Sequence, residues 1–245
     1  MSPEEYANLE RVEREHWYYV GKRRIVRHWL RESATIGPQS KLLDCGAGTG
    51  AFVAEMQGEL QCTAMDDHKE SLGILRQRLP QGAVIEGTCT EVPLASDAFD
   101  AATALDVLEH VVDDDKAAAE LVRVLAPGGT LVVTVPAMMS LWSDWDVSLH
   151  HQRRYDKKSL LDLFAALPVK IEHCSYINVV AMPLVWLARK ARTLGFGTSS
   201  RAEDRIPSRP INLALLSSFV ALGCSRISFP FGVGLLLVAR KNDRT

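Results

Sequence analysis

Between residues 40 and 135 strand-length apolar runs alternate with helix-like stretches, and this alternation limits the possible folds more than any other feature of the chain. The runs are "KLLDC" (41–45), "QCTAMD" (61–66), "AVIEG" (83–87), "FDAATALDV" (99–107) and "GGTLVVTVP" (128–136). Between them lie "AFVAEMQ", then a stretch with Leu72, Leu75 and Leu79 at helical spacing, then "DDDKAAAELVRVL". The acids opening that last segment suit a helix dipole, and Pro127-Gly128-Gly129 closes it. Such order predicts an α/β fold, a doubly wound, mostly parallel sheet with right-handed crossovers and helices on both faces. "DKKSLLDLFAAL" then reads as a helix, "VKIEHCSYI" as a sixth strand and "GVGLLLVARK" as a final one. At 245 residues the chain can bury one large core of this kind.

The turn after the first strand is "LLDCGAGTGAF" (42–52). Glycines at 46, 48 and 50 permit positive φ and let a ligand approach bare backbone. The following helix offers free N–H groups, and nucleotide-type ligands sit beyond the carboxyl ends of such strands. Dinucleotide sites use G-x-G-x-x-G and place a pyrophosphate there. Here the spacing is G-x-G-x-G, and Asp44 stands just before it. A carboxylate so close repels a pyrophosphate and welcomes a cationic group, such as an amino group beside a sulfonium. Asp66, ending the second strand, suits two ribose hydroxyls, a role open to any adenosine-bearing ligand.

These motifs, with "AMD", "GTCTEVPLASDAFD", "ALDVLEHVVDD", "LAPGGTLVVTVP" and the closing "FGVGLLLVARK", resemble the class I S-adenosylmethionine (SAM)-dependent methyltransferases in order and spacing. The resemblance is dense from residue 40 to about 135. It implies a Rossmann-like sheet of seven strands, the last antiparallel, with SAM as cofactor and S-adenosylhomocysteine as product. By that resemblance Asp44, Gly46, Ala47, Gly48 and Gly50 hold the methionine part and Asp66 the ribose, with Met65 and Asp67 flanking ribose and adenine. Leu105 and Asp106 face the sulfonium side. Many relatives carry Gly-Asp-Ala after the third strand; here Gly87-Thr88-Cys89 stands there, so Thr88 and Cys89 must serve the adenine by hydroxyl or backbone.

A second informative stretch, "LWSDWDVSLHHQRRYDKKSL" (141–160), follows the fifth strand and so begins at the ligand edge. It resembles a methyltransferase subgroup with a W-S-x-x-D…H-x-R-R-Y pattern, matched by Trp142, Ser143, Asp146, His151, Arg153, Arg154 and Tyr155. Two adjacent arginines and a histidine form a cationic site suited to a carboxylate or phosphate; alternatively the arginines pair with nearby acids. His151 is the first candidate for a general base and His110 of "LEHV" the second. Tyr18, in the subgroup-like "HWYYVGKRR", and Trp142 and Tyr155 are candidate acceptor contacts. Asp113, Asp114 and Asp115 read as a helix cap rather than a metal site, and no metal is expected.

The division expected is one domain: an N-terminal helical lid (1–35), a SAM-binding core (40–177), an apolar helical insert (178–230) and a final strand (231–241). Tyr6, Leu9, Val12 and His16, then Ile25, Val26, Trp29 and Leu30, suit amphipathic lid helices. The insert holds "NVVAMPLVWLARKARTLGFG" and "INLALLSSFVALGCSRI", joined through "RAEDRIPSRP". A helix apolar on most faces must cover more than one side, by packing, dimerising, roofing an apolar pocket or lying on a lipid surface. No run reaches the length needed to span a bilayer. Net charge is −2, which argues against a nucleic-acid partner, and five scattered cysteines form no CxxC or Cys/His cluster, which suits a reducing cytoplasmic setting. The expected activity is methyl transfer to a small or amphipathic, anionic acceptor such as an isoprenoid phosphate or another lipid or natural-product intermediate. The alternatives are a non-catalytic SAM-binding partner protein and an NAD-type oxidoreductase.

Overall fold

The computed structural model describes residues 12–33, 36–79, 83–193 and 205–243. Seven strands form one sheet: β1 (Lys41–Cys45), β2 (Gln61–Asp66), β3 (Ala83–Glu86), β4 (Phe99–Leu105), β5 (Leu125–Pro136), β6 (Val169–Ile177) and β7 (Gly234–Lys241). Their order is β3-β2-β1-β4-β5-β7-β6. Strands β1 to β5 pair in parallel, and β7 runs antiparallel between β5 and β6. This is the expected doubly wound sheet with one reversed strand. Its order turns back between β1 and β4, and that switch point is where the carboxyl ends of strands leave a crevice.

The eight helices described are α1 (Trp17–Ser33), α2 (Ala51–Met56), α3 (Lys69–Arg78), α4 (Asp114–Val124), α5 (Asp144–Ser148), α6 (Lys157–Phe164), α7 (Met182–Thr193) and α8 (Arg209–Gly223). Central strands are buried on both faces, which is why they read as unbroken apolar runs. Successive residues divide between the two sides of the sheet. Leu43, Val133 and Leu237 enter the core built with α4 and α6, while Leu42, Val132, Leu236 and Val238 enter the core built with α1, α2 and α8. Asp113 caps α4 by accepting from the Lys116 N–H at 3.1 Å, so the acid run opens a helix as expected.

Strand β5 begins three residues earlier than the sequence suggests. Leu125 pairs with Phe99, the register then shifts, and Gly128 absorbs the irregularity at φ 74°. Pro127-Gly128-Gly129 therefore lies inside the strand as a bulge. Gly129 has no room for a side chain, since a Cβ there would sit 2.8 Å from the Ala126 carbonyl oxygen.

Helix α1 buries Ile25, Val26, Trp29 and Leu30, and Val12 and His16 are also buried; Tyr6 and Leu9 lie outside the described residues. It docks on α8, which belongs to the 178–230 insert. Two glycines allow the close crossing: a Cβ on Gly21 would lie 2.5 Å from Phe219, and one on Gly223 would lie 2.3 Å from Ile25. Asn212 of α8 accepts from the Trp17 N–H at 3.0 Å and so caps the start of α1. Helix α8 covers one side with Leu216 and Phe219 and leaves Ile211 and Leu213 exposed; α7 exposes Leu184, Trp186 and Leu187. Between them, residues 194–204 lie outside the described residues. Among the described residues no helix is long and apolar enough to cross a membrane.

Candidate active site

The loop after β1 is shaped by its glycines. Gly46, Gly48 and Gly50 have φ of 70°, 57° and 73°. A Cβ on Gly46 would strike Val107 at 2.6 Å and one on Gly50 would strike Leu75 at 2.5 Å, so these two let the loop press against the sheet edge and α3. A Cβ on Gly48 would meet nothing within 4 Å, so this glycine faces open space and gives a ligand bare backbone to approach. Asp66 holds the loop by accepting from the Gly48 N–H at 2.8 Å and the His68 N–H at 2.9 Å. Each of its oxygens keeps a second lone pair for a diol. Ser71 donates to the Gly48 carbonyl at 2.5 Å.

Asp44 is 3% exposed, and its carboxylate accepts from the Thr103 hydroxyl at 2.6 Å across the β1–β4 pairing. Burial pushes its carboxyl up to about 7, with the Thr103 hydrogen bond opposing and Asp66 adding to the rise. A buried acid poised in this way awaits a cationic partner. Ala47 is half-buried in the loop, Met65 is buried and Asp67 is exposed beside Asp66. Thr88 is exposed, and its hydroxyl is 3.2 Å from that of Thr90. The Cys89 sulfur lies 2.6 Å from that of Cys45, and both are free cysteines. The residues at the cradle therefore fit SAM: an acid for the amino group, open glycine backbone for the methionine part and an acid for the ribose.

At the end of β4 Asp106, expected with Leu105 to face the sulfonium, takes positive φ (56°), and Leu105 is half-buried. The Asp106 carboxylate accepts from Lys22 of α1 at 2.5 Å and from Thr134 at 2.9 Å. Burial alone would raise its carboxyl; the Lys22 ammonium outweighs that and holds it below the usual carboxylate range. Lys22 also sits over the Tyr18 and Tyr19 rings, 5.2 Å and 5.8 Å from their centroids. Tyr18 itself stacks on Phe219 at 5.8 Å. Helix α1 is thus tied to the cofactor loops, and Glu13, just before it, accepts from the Thr49 hydroxyl. Lys22 was not singled out in the sequence. Its signal was its place one helical turn after Tyr18.

The stretch after β5 is organised by Asp146, which is fully buried. It accepts from His151 Nδ1 at 2.9 Å, Arg154 Nε at 2.6 Å and the Ser143 N–H at 2.9 Å, and Arg189 of α7 lies 3.6 Å away. Burial opposes ionisation, but His151 and Arg154 hold its carboxyl far below the usual range. Arg154 also donates to the Ala137 carbonyl at 3.0 Å. Arg153 pairs with Asp114 and donates to the Val112 carbonyl at 2.8 Å. The buried Tyr155 hydroxyl donates to Asp114 at 2.6 Å. Of the two expectations for Arg153 and Arg154, pairing with nearby acids is what the structure has, with Asp114 and Asp146 as partners, and Tyr155, a candidate acceptor contact, is turned to Asp114 as well. Trp142 is half-buried. His151 and His110 meet edge to face at 4.7 Å, beside the buried Glu109.

Comparison with known proteins agrees with this geometry. Residues 43–133 match the family model described as a methyltransferase domain. Over 119 residues the chain is 38% identical to a demethylmenaquinone methyltransferase of Mycolicibacterium paratuberculosis, covering 46% of this chain and 49% of that one. The chain spans about half the length of the curated relatives it matches. In structure it is similar to a SAM-dependent methyltransferase from Thermotoga maritima (TM-score 0.64, 17% identity, 98% of this chain and 96% of that one). It is also similar to geranyl diphosphate C-methyltransferase from Streptomyces coelicolor A3(2), solved with Mg2+, geranyl diphosphate and S-adenosyl-L-homocysteine (TM-score 0.58, 15% identity, 87% of this chain and 76% of that one). The matched segment, set in this strand order around an acid–glycine loop, identifies residues 43–133 as a methyltransferase domain and the sheet as the Rossmann-like fold of SAM-dependent methyltransferases.

Proposed function

We propose that this chain transfers a methyl group from SAM to a small or amphipathic acceptor with an isoprenoid-like or otherwise apolar body. The observation that carries the cofactor half is the juxtaposition of buried Asp44, the open backbone at Gly48 and the Asp66 carboxylate. SAM, when bound, supplies an electrophilic methyl carbon whose bond to sulfur breaks as the acceptor atom bonds to it. The chain's own residues bind and orient. Asp44 takes the amino group, Gly46 to Gly50 accommodate the methionine part and Asp66 takes the ribose. Met65 and Asp67 flank ribose and adenine, Thr88 and Cys89 serve the adenine, and Leu105 and Asp106 border the sulfonium. His151, oriented through Nδ1 by Asp146, presents its other ring nitrogen to the acceptor side. The apolar body of the acceptor is supported by the exposed Leu184, Trp186, Leu187, Ile211 and Leu213 and by relatives named for demethylmenaquinone and geranyl diphosphate.

Two measurements test this. Incubation with labelled SAM and a panel of prenylated phenols, isoprenoid phosphates and fatty acids is expected to give labelled product. SAM binding without transfer to any of them would instead mark a non-catalytic SAM-binding protein.

Calorimetric titration with SAM tests Asp44 itself. Because its carboxyl lies near 7, the ionised form that attracts the ammonium prevails above that pH and is lost below it. Affinity is therefore expected to fall about tenfold from pH 8 to pH 6. Asp44→Asn is expected to weaken binding about 10- to 100-fold and to remove that pH-dependent loss. The ligand's own ionisation persists in the variant and subtracts out. Equal pH profiles for the two proteins would exclude the Asp44–ammonium contact.

A further inference from the structure

Glu109 is the most conspicuous polar group that the cofactor reading leaves unused. It is 0% exposed, and neither of its carboxylate oxygens bonds to another residue among the described residues. Buried carboxylates without partners are costly and rarely kept. Around it stand two imidazoles, His110 from the same short turn and His151 from the loop after α5. One ligand atom from each of the three lies within 4.8 Å of the others. The two rings meet edge to face at 4.7 Å and 83° rather than stacked.

The surroundings of His151 fit a ligand. Its Nδ1 is occupied by the Asp146 carboxylate at 2.9 Å, which leaves Nε2 for an ion. Asp146 is itself fixed by Arg154 and by the Ser143 N–H. A carboxylate gripping the far nitrogen is how proteins set the tautomer and direction of a metal-binding histidine. The second acid and histidine cluster, Asp66 with Asp67 and His68, lacks this: Asp66 bonds Gly48 and His68 backbone, and its neighbours are exposed.

We propose that Glu109, His110 and His151 bind a first-row divalent cation beside the cofactor cradle, with open positions for an oxygen of the acceptor. Two imidazoles and one carboxylate suit Zn2+, Fe2+ or Co2+ better than Mg2+, which prefers oxygen ligands and keeps its waters. The ion would stand on the loop that follows Asp106, so an acceptor hydroxyl, phenol or carboxylate bound to it lies on the sulfonium side. It provides the positive charge for an oxygen anion that Arg153 and Arg154, paired with Asp114 and Asp146, do not. Its role toward the acceptor rests on the methyltransferase reading; the metal site itself does not. No local spacing announces this site, because the third ligand arrives from a separate loop.

The test uses the full chain without a histidine tag, stripped by chelator. Titration calorimetry with Zn2+ is expected to show about one tight site per chain, and Co2+ is expected to give d–d absorption without thiolate charge-transfer bands. Glu109→Gln and His151→Gln are each expected to weaken Zn2+ binding about tenfold or more. Asp67→Asn is expected to leave it unchanged. Glu109→Gln keeps shape and removes only charge, so its circular dichroism and its SAM affinity are expected to match the parent. The proposal is overturned by no saturable binding to folded chain, by thiolate bands, by unchanged affinity in both variants, or by Mg2+ binding as tightly as Zn2+. Metal binding without SAM binding would overturn the methyltransferase reading and leave the metal site standing.

Discussion

Asp146→Ala is expected to destabilise the fold by about 3–5 kcal/mol, the range for removing one member of a buried ion pair. In a chain of this size that lowers the melting temperature by roughly 10 °C. The carboxylate is fully buried, and Arg154 and Arg189, at 7% and 6% exposure, are nearly so. Alanine would leave two guanidinium groups in the interior with less negative charge to face. The Ser143 N–H would lose its partner, and α5 its capping box. By contrast Lys158–Asp162, on an exposed helix face at 83% and 60% side-chain exposure, is a solvent-screened pair whose removal is expected to leave stability nearly unchanged. Asp146→Asn retains part of the hydrogen bonding and is expected to lose less. A thermal melt of both variants decides it, and a melting temperature within 2 °C of the parent for Asp146→Ala would remove Asp146 from the centre of the loop.

The contrast between Asp146 and its neighbours marks where sequence stops informing. The sheet was legible because β1, β4, β5 and β7 are covered on both faces, so their residues had to be apolar in succession. The loop after β1 was legible because positive φ at three alternate positions admits little but glycine. The stretch "HHQRRY" was legible only as a place. Whether Arg153 faces a ligand or Asp114 depends on a helix that begins 39 residues earlier in the chain, and spacing carries no such information. The same holds for Lys22, whose partner Asp106 is 84 residues away. Glu109 looked like one letter of "LEH"; its importance lies in carboxylate oxygens that find no hydrogen-bond partner among the described residues, which only the packed structure reveals. The start of β5 was misplaced for a local reason: Pro-Gly-Gly is a turn signal, and here it marks a bulge.

Trp29→Ala is expected to be as damaging as the loss of Asp146, through packing rather than charge, with a loss of about 3–5 kcal/mol. Trp29 is 2% exposed, stacks on His173 at 4.2 Å and donates from Nε1 to the Gly223 carbonyl at 2.8 Å. Truncation would empty a large site between α1, α8 and the sheet and strip the last turn of α8 of its donor. Trp29→Phe keeps an aromatic ring and loses the hydrogen bond, so its expected loss is smaller, about 1–3 kcal/mol. The exposed Arg226–Glu32 pair, at 77% and 45% side-chain exposure, cannot substitute for this anchor, since such pairs contribute about 0–1 kcal/mol. The functional consequence follows from what α1 carries. Lys22 neutralises Asp106, and Glu13 holds Thr49 of the glycine loop. An α1 that opens more often leaves Asp106 as a half-buried, uncompensated acid beside the glycine loop and unlatches the cradle. Urea unfolding should therefore report the lost stability, while hydrogen exchange at 17–33 and SAM titration should change together. Faster exchange with unchanged SAM affinity would show that the cradle holds its shape without α1.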